Sequence, residues 1–353
     1  MTEYEISEVT TTTTTNAPQY SYEWVNQQTK ELPESEFSIS NADDNISKNR
    51  YNNVVANNTT IVSLSNKKYV NANYVCGGRY ISCQAPLSHT IEDFWTMIWE
   101  QNTPVIIMLT KYEENGKAKA TPYFSETASP KKFGNFSVAT GAQMYPDMQT
   151  VRRMEMQVRE LVVENVALKQ KRSVMHIHYM GWPDFGVPKN SKQITDMLYM
   201  AMLFRGKIKK NVLNGPPAVH CSAGLGRSGT FICLLRFYEQ TFFNAVKTPI
   251  AFPFASTIAE VNEVDKKING IKGPIDEKEI EKIVADLVLA LRLERRGMVQ
   301  TEDQYKYIIS MMVAFYKDIY GKVSAKSKLV DIVEGLFSPT CKKNVLTFMK
   351  KVF

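Results

Sequence analysis

The segment His220-Cys221-Ser222-Ala223-Gly224-Leu225-Gly226-Arg227-Ser228-Gly229 constrains this chain more than any other. It follows a short apolar run, Pro216 to Val219, and precedes a stretch from Thr230 (TFICLLRFYEQTF) that reads as a helix. A cysteine, with an arginine six residues on and small residues between, therefore sits where a strand ends and a helix begins. Gly224 and Gly226 permit the backbone angles and close approach that let successive N–H groups converge on one anion. A helix starting near Ser228 adds the positive end of its dipole, and the planar fork of Arg227 can hold two oxygens of a tetrahedral oxyanion. The same field favours a thiolate on Cys221, taking its pKa from about 8.5 into the range of about 3.5–7.5 found at electropositive sites. An anion cradle with a thiolate at its floor suits covalent phosphoryl transfer. A lone cysteine is ordinarily a buried structural residue; the glycine pattern and the strand-to-helix setting argue against that here.

A second segment supplies an acid. Gly181-Trp182-Pro183-Asp184-Phe185-Gly186-Val187-Pro188 follows a strand-like run and is bracketed by Pro and Gly, the mark of a surface loop. A phenolate leaving group has a pKa of about 10, so protonating it as the P–O bond breaks should accelerate transfer by about 10²–10⁴. Asp184 can do so with a raised pKa on a loop that closes over the substrate. Alone, Trp-Pro-Asp is an ordinary turn; the cysteine loop gives it a role.

The rest of the chain reads as mixed α/β. Thr103–Leu109 and Ser173–Tyr179 are strands, rich in β-branched and aromatic residues. Thr90–Gln101, Gln193–Leu203 and Gln304–Ala314 repeat apolar residues at helical spacing. No internal repeat is visible. Hydrophobic residues at 44% and charged residues at 22% exclude a largely disordered chain, a collagen-like fibre and a disulfide scaffold. The net charge of +7 is concentrated in residues 322–353, where seven lysines face Asp331 and Glu334, so a global nucleic-acid binder is not expected. The five cysteines and four histidines show no metal-ligand spacing, and no metal is expected. The odd, low cysteine count fits a reducing intracellular compartment. No apolar core marks the N-terminus as a secretory signal and no stretch approaches the ~18 apolar residues of a membrane span, so a soluble, cytoplasmic protein is expected. Residues 1–20, with threonines from Thr10 to Thr15, are expected to form a disordered tail.

From about Tyr22 to Tyr320 the chain resembles the tyrosine-specific branch of the cysteine-dependent protein phosphatases. Separated motifs match in family order. Asn49-Arg50-Tyr51 resembles the phosphotyrosine-recognition loop, Tyr69-Val70-Asn71-Ala72-Asn73-Tyr74 the Tyr-x-Asn-Ala block, and Asp93-Phe94-Trp95 the core helix. Trp182-Pro183-Asp184 resembles the acid loop, His220 to Gly229 the signature, and Gly297 to Tyr305 the glutamine loop.

The resemblance implies a single α/β catalytic domain over residues 21–321, with a twisted mixed central sheet flanked by helices and a phosphate-binding loop at a strand-to-helix turn. It implies hydrolysis of phosphotyrosine in proteins, in signalling, with Cys221 as nucleophile and Arg227 binding the phosphoryl group. Asp184 acts as general acid and then base. Gln300 positions water with Gln304 assisting, and Ser228 donates to the departing thiolate. Tyr51 walls a pocket too deep for phosphoserine to reach Cys221. Glu114, in Glu113-Glu114-Asn115-Gly116, falls where a carboxylate orients the arginine. Asn53 stands at the peptide clamp, Ser222, Ala223, Gly224, Leu225 and Gly226 form the cradle, and His220 at the strand end supports it. Neither cofactor nor metal is implied, and a monomer is expected.

Some positions depart from the family pattern. Asn53 replaces a usual aspartate, Gln84-Ala85-Pro86 replaces Gln-Gly-Pro, and Tyr123-Phe124 stands in place of Tyr-Trp-Pro after Lys119. None removes a reacting group; peptide selectivity is what they touch. Cys221 and Gln300 lie 79 positions apart, well beyond the spacing the resemblance implies. The extra material is placed at 244–276, as a surface insertion or a docking element. Ile280–Leu293 resumes a helix, and Arg292 and Arg295, on the approach to Gln300, suggest either a secondary anion site or a solvated basic helix end. The basic extension 322–353 ends in KKNVLTFMKKVF, which suits weak contact with an anionic membrane or an acidic partner, or packing on the domain. Two rival functions are a catalytically silent phosphotyrosine-binding module, which would have lost Cys221, Asp184 or Arg227, and a dual-specificity phosphatase. The Asn49-Arg50-Tyr51 wall and the glutamine loop argue against the latter.

Overall fold

The apolar runs of the sequence become the middle of one sheet. The computed structural model describes residues 17–143, 155–207, 214–246, 257–271 and 275–320. Its strands are β1 (Ala72–Val75), β2 (Tyr80–Cys83), β3 (Val105–Met108), β4 (Glu113–Glu114), β5 (Lys117–Ala118), β6 (Lys131–Phe133), β7 (Phe136–Gln143), β8 (Met156–Asn165), β9 (Gln170–Tyr179) and β10 (Ala218–His220). β4 and β5 form a separate hairpin; the others form one eight-stranded sheet in the order β1-β2-β10-β3-β9-β8-β7-β6. β2, β10, β3 and β9 are mutually parallel, and the pairs outside them are antiparallel. The parallel middle is covered on both faces, which is why Val105–Met108 is continuously apolar rather than alternating.

The helices are α1 (Tyr22–Gln28), α2 (Asp43–Ile46), α3 (Ile91–Glu100), α4 (Ser191–Lys207), α5 (Gly226–Val246), α6 (Ala259–Gly270), α7 (Glu277–Glu294) and α8 (Glu302–Tyr320). Alternation along β3 divides the core. Val105 and Ile107 join α4, α5, α7 and α8 in the larger cluster, whereas Ile106 and Met108 join Phe94, Trp95 and Ile98 of α3 in the smaller one. β10 lies between β2 and β3, so the loop that leaves it emerges at the middle of the sheet.

The expected mixed sheet flanked by helices is observed, with shifted boundaries. The strand read at Ser173–Tyr179 begins at Gln170, and the helix read at Gln193–Leu203 runs from Ser191 to Lys207. Tyr20 belongs to the packed chain rather than to a tail: its ring meets Trp24 edge-on at 5.3 Å, and its carbonyl accepts from Tyr305 Oη at 2.7 Å. Residues 1–16, 247–256 and 272–274 and the C-terminal extension lie outside the described residues.

The described part of the insertion is a helix. α6 buries Val261, Val264 and Ile268 in the larger cluster, which also holds Leu287 and Leu291 of α7. Its Asp265 bridges two arginines from other elements, Arg79 at 2.7 Å and Arg236 of α5 at 2.6 Å.

Candidate active site

The loop after β10 is forced into shape at two glycines. Gly224 has φ +72°, and a Cβ there would lie 2.2 Å from the Cys83 carbonyl oxygen, so no larger residue fits. A Cβ on Gly226 would meet Gln300 Oε1 at 2.7 Å; instead the Gly226 N–H donates to that oxygen at 3.1 Å. α5 begins at Gly226, two residues before the expected start, so Arg227 and Ser228 lie in its first turn.

Cys221 is buried at the base of this loop, with the Gly224 N–H donating to its Sγ at 3.3 Å. Burial alone would raise the thiol pKa. The charge of Arg227, the Ser228 hydroxyl and the N–H groups of Ser228 and Leu225 outweigh it and bring the pKa below the ordinary value. Ser228 Oγ is buried and satisfies no other group among the described residues, so its proton is available to the sulfur.

Arg227 is held on three sides. Glu114 grips it bidentately, Oε1 to Nη1 at 2.7 Å and Oε2 to Nη2 at 2.9 Å. Nη1 also donates to the carbonyls of Leu109 and Trp182, and Nη2 donates to Asp184 Oδ1 at 2.7 Å. Asp184 Oδ2 meets Lys119 Nζ at 2.5 Å. Burial would raise the Asp184 pKa, but the contacts with Lys119 and Arg227 hold it below the usual carboxylate value. This corrects the raised value expected from sequence: the two cations that reach Asp184 come from residues 65 and 43 positions away.

Cys221, Arg227, Asp184 and Lys119 line a pocket of about 470 Å³ with Tyr51, Asn53, Ser222, Ala223, Gln300 and Gln304. Ser222 Oγ donates to the Lys119 carbonyl, so Tyr51 Oη donates to Ser222 Oγ at 2.8 Å, fixing the tyrosine as a wall. Tyr69 Oη and Asn71 Nδ2 both donate to Asn49 Oδ1, which anchors the loop bearing Tyr51. The Gln300 N–H donates to Gln304 Oε1 at 3.0 Å, in a turn where Val299 has φ +58°, a strained angle for a β-branched residue. Leu225, Gly224 and Gly226 shape the loop from behind. His220 does not enter the pocket. Its Nδ1 donates to the Cys221 carbonyl at 3.0 Å, and its Nε2 accepts from Tyr123 Oη at 2.8 Å. Burial pushes its pKa down to about 4, so it is neutral and supports the loop.

The protein-tyrosine phosphatase family model matches residues 45–249. The chain belongs to the protein-tyrosine phosphatase family. It is 34% identical over 295 residues to tyrosine-protein phosphatase 3 of Dictyostelium discoideum, covering 79% of this chain but 26% of that protein. It is 30% identical over 295 residues to protein-tyrosine-phosphatase PTP1 of Arabidopsis thaliana, covering 80% and 74% respectively. Among solved structures, PTPN18 in complex with HER2 phosphopeptides superposes with a TM-score of 0.61 at 26% identity, covering 80% of this chain and 92% of that one. The family match stops at residue 249, inside the insertion, yet Gln300 and Gln304 beyond it line the pocket with Cys221.

Three site residues escaped the sequence reading. Lys119 neutralises Asp184, Tyr123 orients His220, and Arg295 holds the loop after β10 from beneath. Arg295 and Arg292 form neither a secondary anion site nor a solvated helix end; both are buried. Arg295 donates to the Gly224 and Ala223 carbonyls, each at 3.0 Å, and to Asn71 and Asn73, each at 2.7 Å. Turning those carbonyls towards Arg295 turns the loop's N–H groups the other way, towards the pocket. Arg292 donates to the Met298 and Val299 carbonyls and so steadies the glutamine loop. Among the described residues neither arginine has a carboxylate partner; backbone carbonyls and side-chain oxygens take its place.

Proposed function

We propose that this protein hydrolyses phosphotyrosine in proteins through a cysteinyl-phosphate intermediate. The observation that carries the reading is the buried Cys221 thiol, its pKa lowered by Arg227 and Ser228, at the floor of the pocket over which Asp184 is held. In the first step the Cys221 thiolate attacks phosphorus, the P–S bond forms, and the P–O bond to tyrosine breaks. Asp184 gives its proton to the leaving phenolate oxygen while Arg227 binds two phosphoryl oxygens. A phosphoryl oxygen arriving at Arg227 Nη2 takes the N–H now donated to Asp184. Asp184 then loses a cation and gains an anionic neighbour, which drives its pKa up, so that it takes the proton carried in by the phosphate monoanion and passes it to the leaving oxygen.

In the second step a water oriented by Gln300, with Gln304 assisting, attacks phosphorus and passes a proton to Asp184. The P–S bond breaks, the Ser228 hydroxyl donates to the leaving thiolate, and inorganic phosphate is released. Retention of Cys221, Asp184 and Arg227 together favours an enzyme over a silent binding module, and the fixed Tyr51 wall favours phosphotyrosine over phosphoserine.

The catalytic unit, read as residues 21–321 and extended by the packed Tyr20, acts as a monomer on phosphotyrosine-containing proteins in a reducing cytoplasm, with the basic extension as a contact for an anionic membrane or acidic partner. Cys76, Cys83 and Cys233 are free buried thiols, and among the described residues no helix is long and apolar enough to cross a membrane. The test is turnover of matched phosphotyrosine and phosphoserine peptides with and without vanadate. Vanadate-sensitive release of phosphate from phosphotyrosine alone supports the reading; equal turnover of both overturns it.

A further inference from the structure

The charges inside the pocket are already matched. Arg227 faces Glu114 and Asp184, and Lys119 faces Asp184. The mouth is different. Its lining includes Lys117, Ala118, Asn53 and Phe185, and Asp184, the one carboxylate among the lining residues, is committed to the two inner cations. Lys117 is exposed and has no ion-pair partner among the described residues. On the β4–β5 hairpin it stands directly opposite Glu114, so the two side chains share a face, yet Glu114 spends both oxygens on Arg227. The amide of Asn53 leaves that field uncancelled, where a carboxylate at the same place would oppose it.

We propose that Lys117 is a specificity-determining residue that selects phosphotyrosine peptides carrying an acidic residue beside the phosphotyrosine. The inference rests on the phosphotyrosine-hydrolase reading of the same pocket. A substrate whose phosphate sits on Arg227 brings its neighbouring residues across the mouth, where Lys117 meets a carboxylate and repels an ammonium. An exposed pair of this kind changes affinity by about two- to fivefold, and the effect is screened by salt.

The test measures kcat/KM on six phosphotyrosine peptides that differ only in the flanking residues, paired glutamates, alanines or lysines, each placed either before or after the phosphotyrosine. An aryl phosphate serves as the reference substrate. In the wild-type protein the glutamate peptide should exceed the lysine peptide by about fivefold or more for at least one placement, with the ratio shrinking at high salt. In Lys117→Glu the ratio should invert, and in Lys117→Ala it should approach one. Because each ratio is taken within one preparation, the fraction of folded protein cancels. Equal kcat/KM for all flanks, or an unchanged ratio in Lys117→Glu, overturns the proposal while turnover leaves the hydrolase reading standing. Absence of turnover on every phosphotyrosine peptide and on the aryl phosphate refutes the hydrolase reading, and this inference with it.

Discussion

Replacing Arg227 by lysine keeps the charge and removes the fork. The guanidinium spans Glu114 through two nitrogens at 2.7 and 2.9 Å while also reaching the Leu109 and Trp182 carbonyls and Asp184. A single ammonium nitrogen can satisfy Glu114 or a phosphoryl oxygen, but it cannot hold Glu114 and two phosphoryl oxygens together. Losing two hydrogen bonds to a charged group, each contributing about 1.5–3 kcal/mol, removes about 3–6 kcal/mol from the bound phosphoryl group. That corresponds to a fall of about 10²–10⁴ in kcat/KM for an aryl phosphate. The pH profile of Cys221 alkylation separates geometry from charge: the retained cation should keep the thiol pKa low even as turnover collapses. A variant retaining more than about a tenth of wild-type kcat/KM, where the fork argument requires a loss of about 10² or more, would refute the reasoning.

Asp184→Ala should lower kcat by about 10²–10⁴ with little rise in KM, less for leaving groups of low pKa; an equal loss for all leaving groups contradicts the acid role. Because Lys119 and Arg227 keep Asp184 ionised in the free protein, the leaving group's proton must arrive on the substrate monoanion. That proton dissociates with a pKa of about 6, so kcat/KM should fall about tenfold per pH unit above it. The limb should vanish in Asp184→Ala, and a flat wild-type profile between about pH 6 and pH 8 contradicts the assignment. Ser228→Ala should weaken the thiolate as leaving group, lowering kcat about 10- to 100-fold and producing a burst of phenolate; an unchanged kcat with no burst removes Ser228 from the second step. Asn53→Asp should raise kcat/KM for phosphotyrosine peptides several-fold, since a carboxylate accepts a peptide N–H about 1 kcal/mol more strongly than an amide. An aryl phosphate offers no such N–H, so an unchanged ratio between the two substrates removes Asn53 from the clamp.

β3 and β9 were legible because Thr103–Leu109 and Ser173–Tyr179 carry their signal locally, in continuous apolar and β-branched runs, whereas β2 and the parallel pairing were not read. Glu113–Glu114 and Lys117–Ala118 gave no such signal: two-residue strands have no period, and the turn between them shows only as Asn115-Gly116, both at positive φ. α6 was hidden for another reason. Val261, Val264 and Ile268 have helical spacing, but they stand among acids and lysines whose solvent face dominates the local composition. At the site, Cys221, Arg227 and Asp184 were legible because each sits in a motif whose backbone requirement is local. Arg295 was not, since its burial depends on Asn71, Asn73, Ala223 and Gly224, more than 70 positions away. The lowered pKa of Asp184 was illegible on the same grounds, being set by Arg227 on α5 and by Lys119 just beyond β5, which no local window contains.

The central claim is a phosphoryl group carried on one sulfur. Acid-quenched protein turning over an aryl phosphate can be digested and the peptide bearing Cys221 weighed. The account predicts a phosphoryl adduct on Cys221 that accumulates further in Ser228→Ala, together with loss of turnover in Cys221→Ser, whose hydroxyl stays protonated near neutral pH. Turnover in Cys221→Ser within about tenfold of wild type, with no adduct on Cys221 in the wild-type protein, would contradict it.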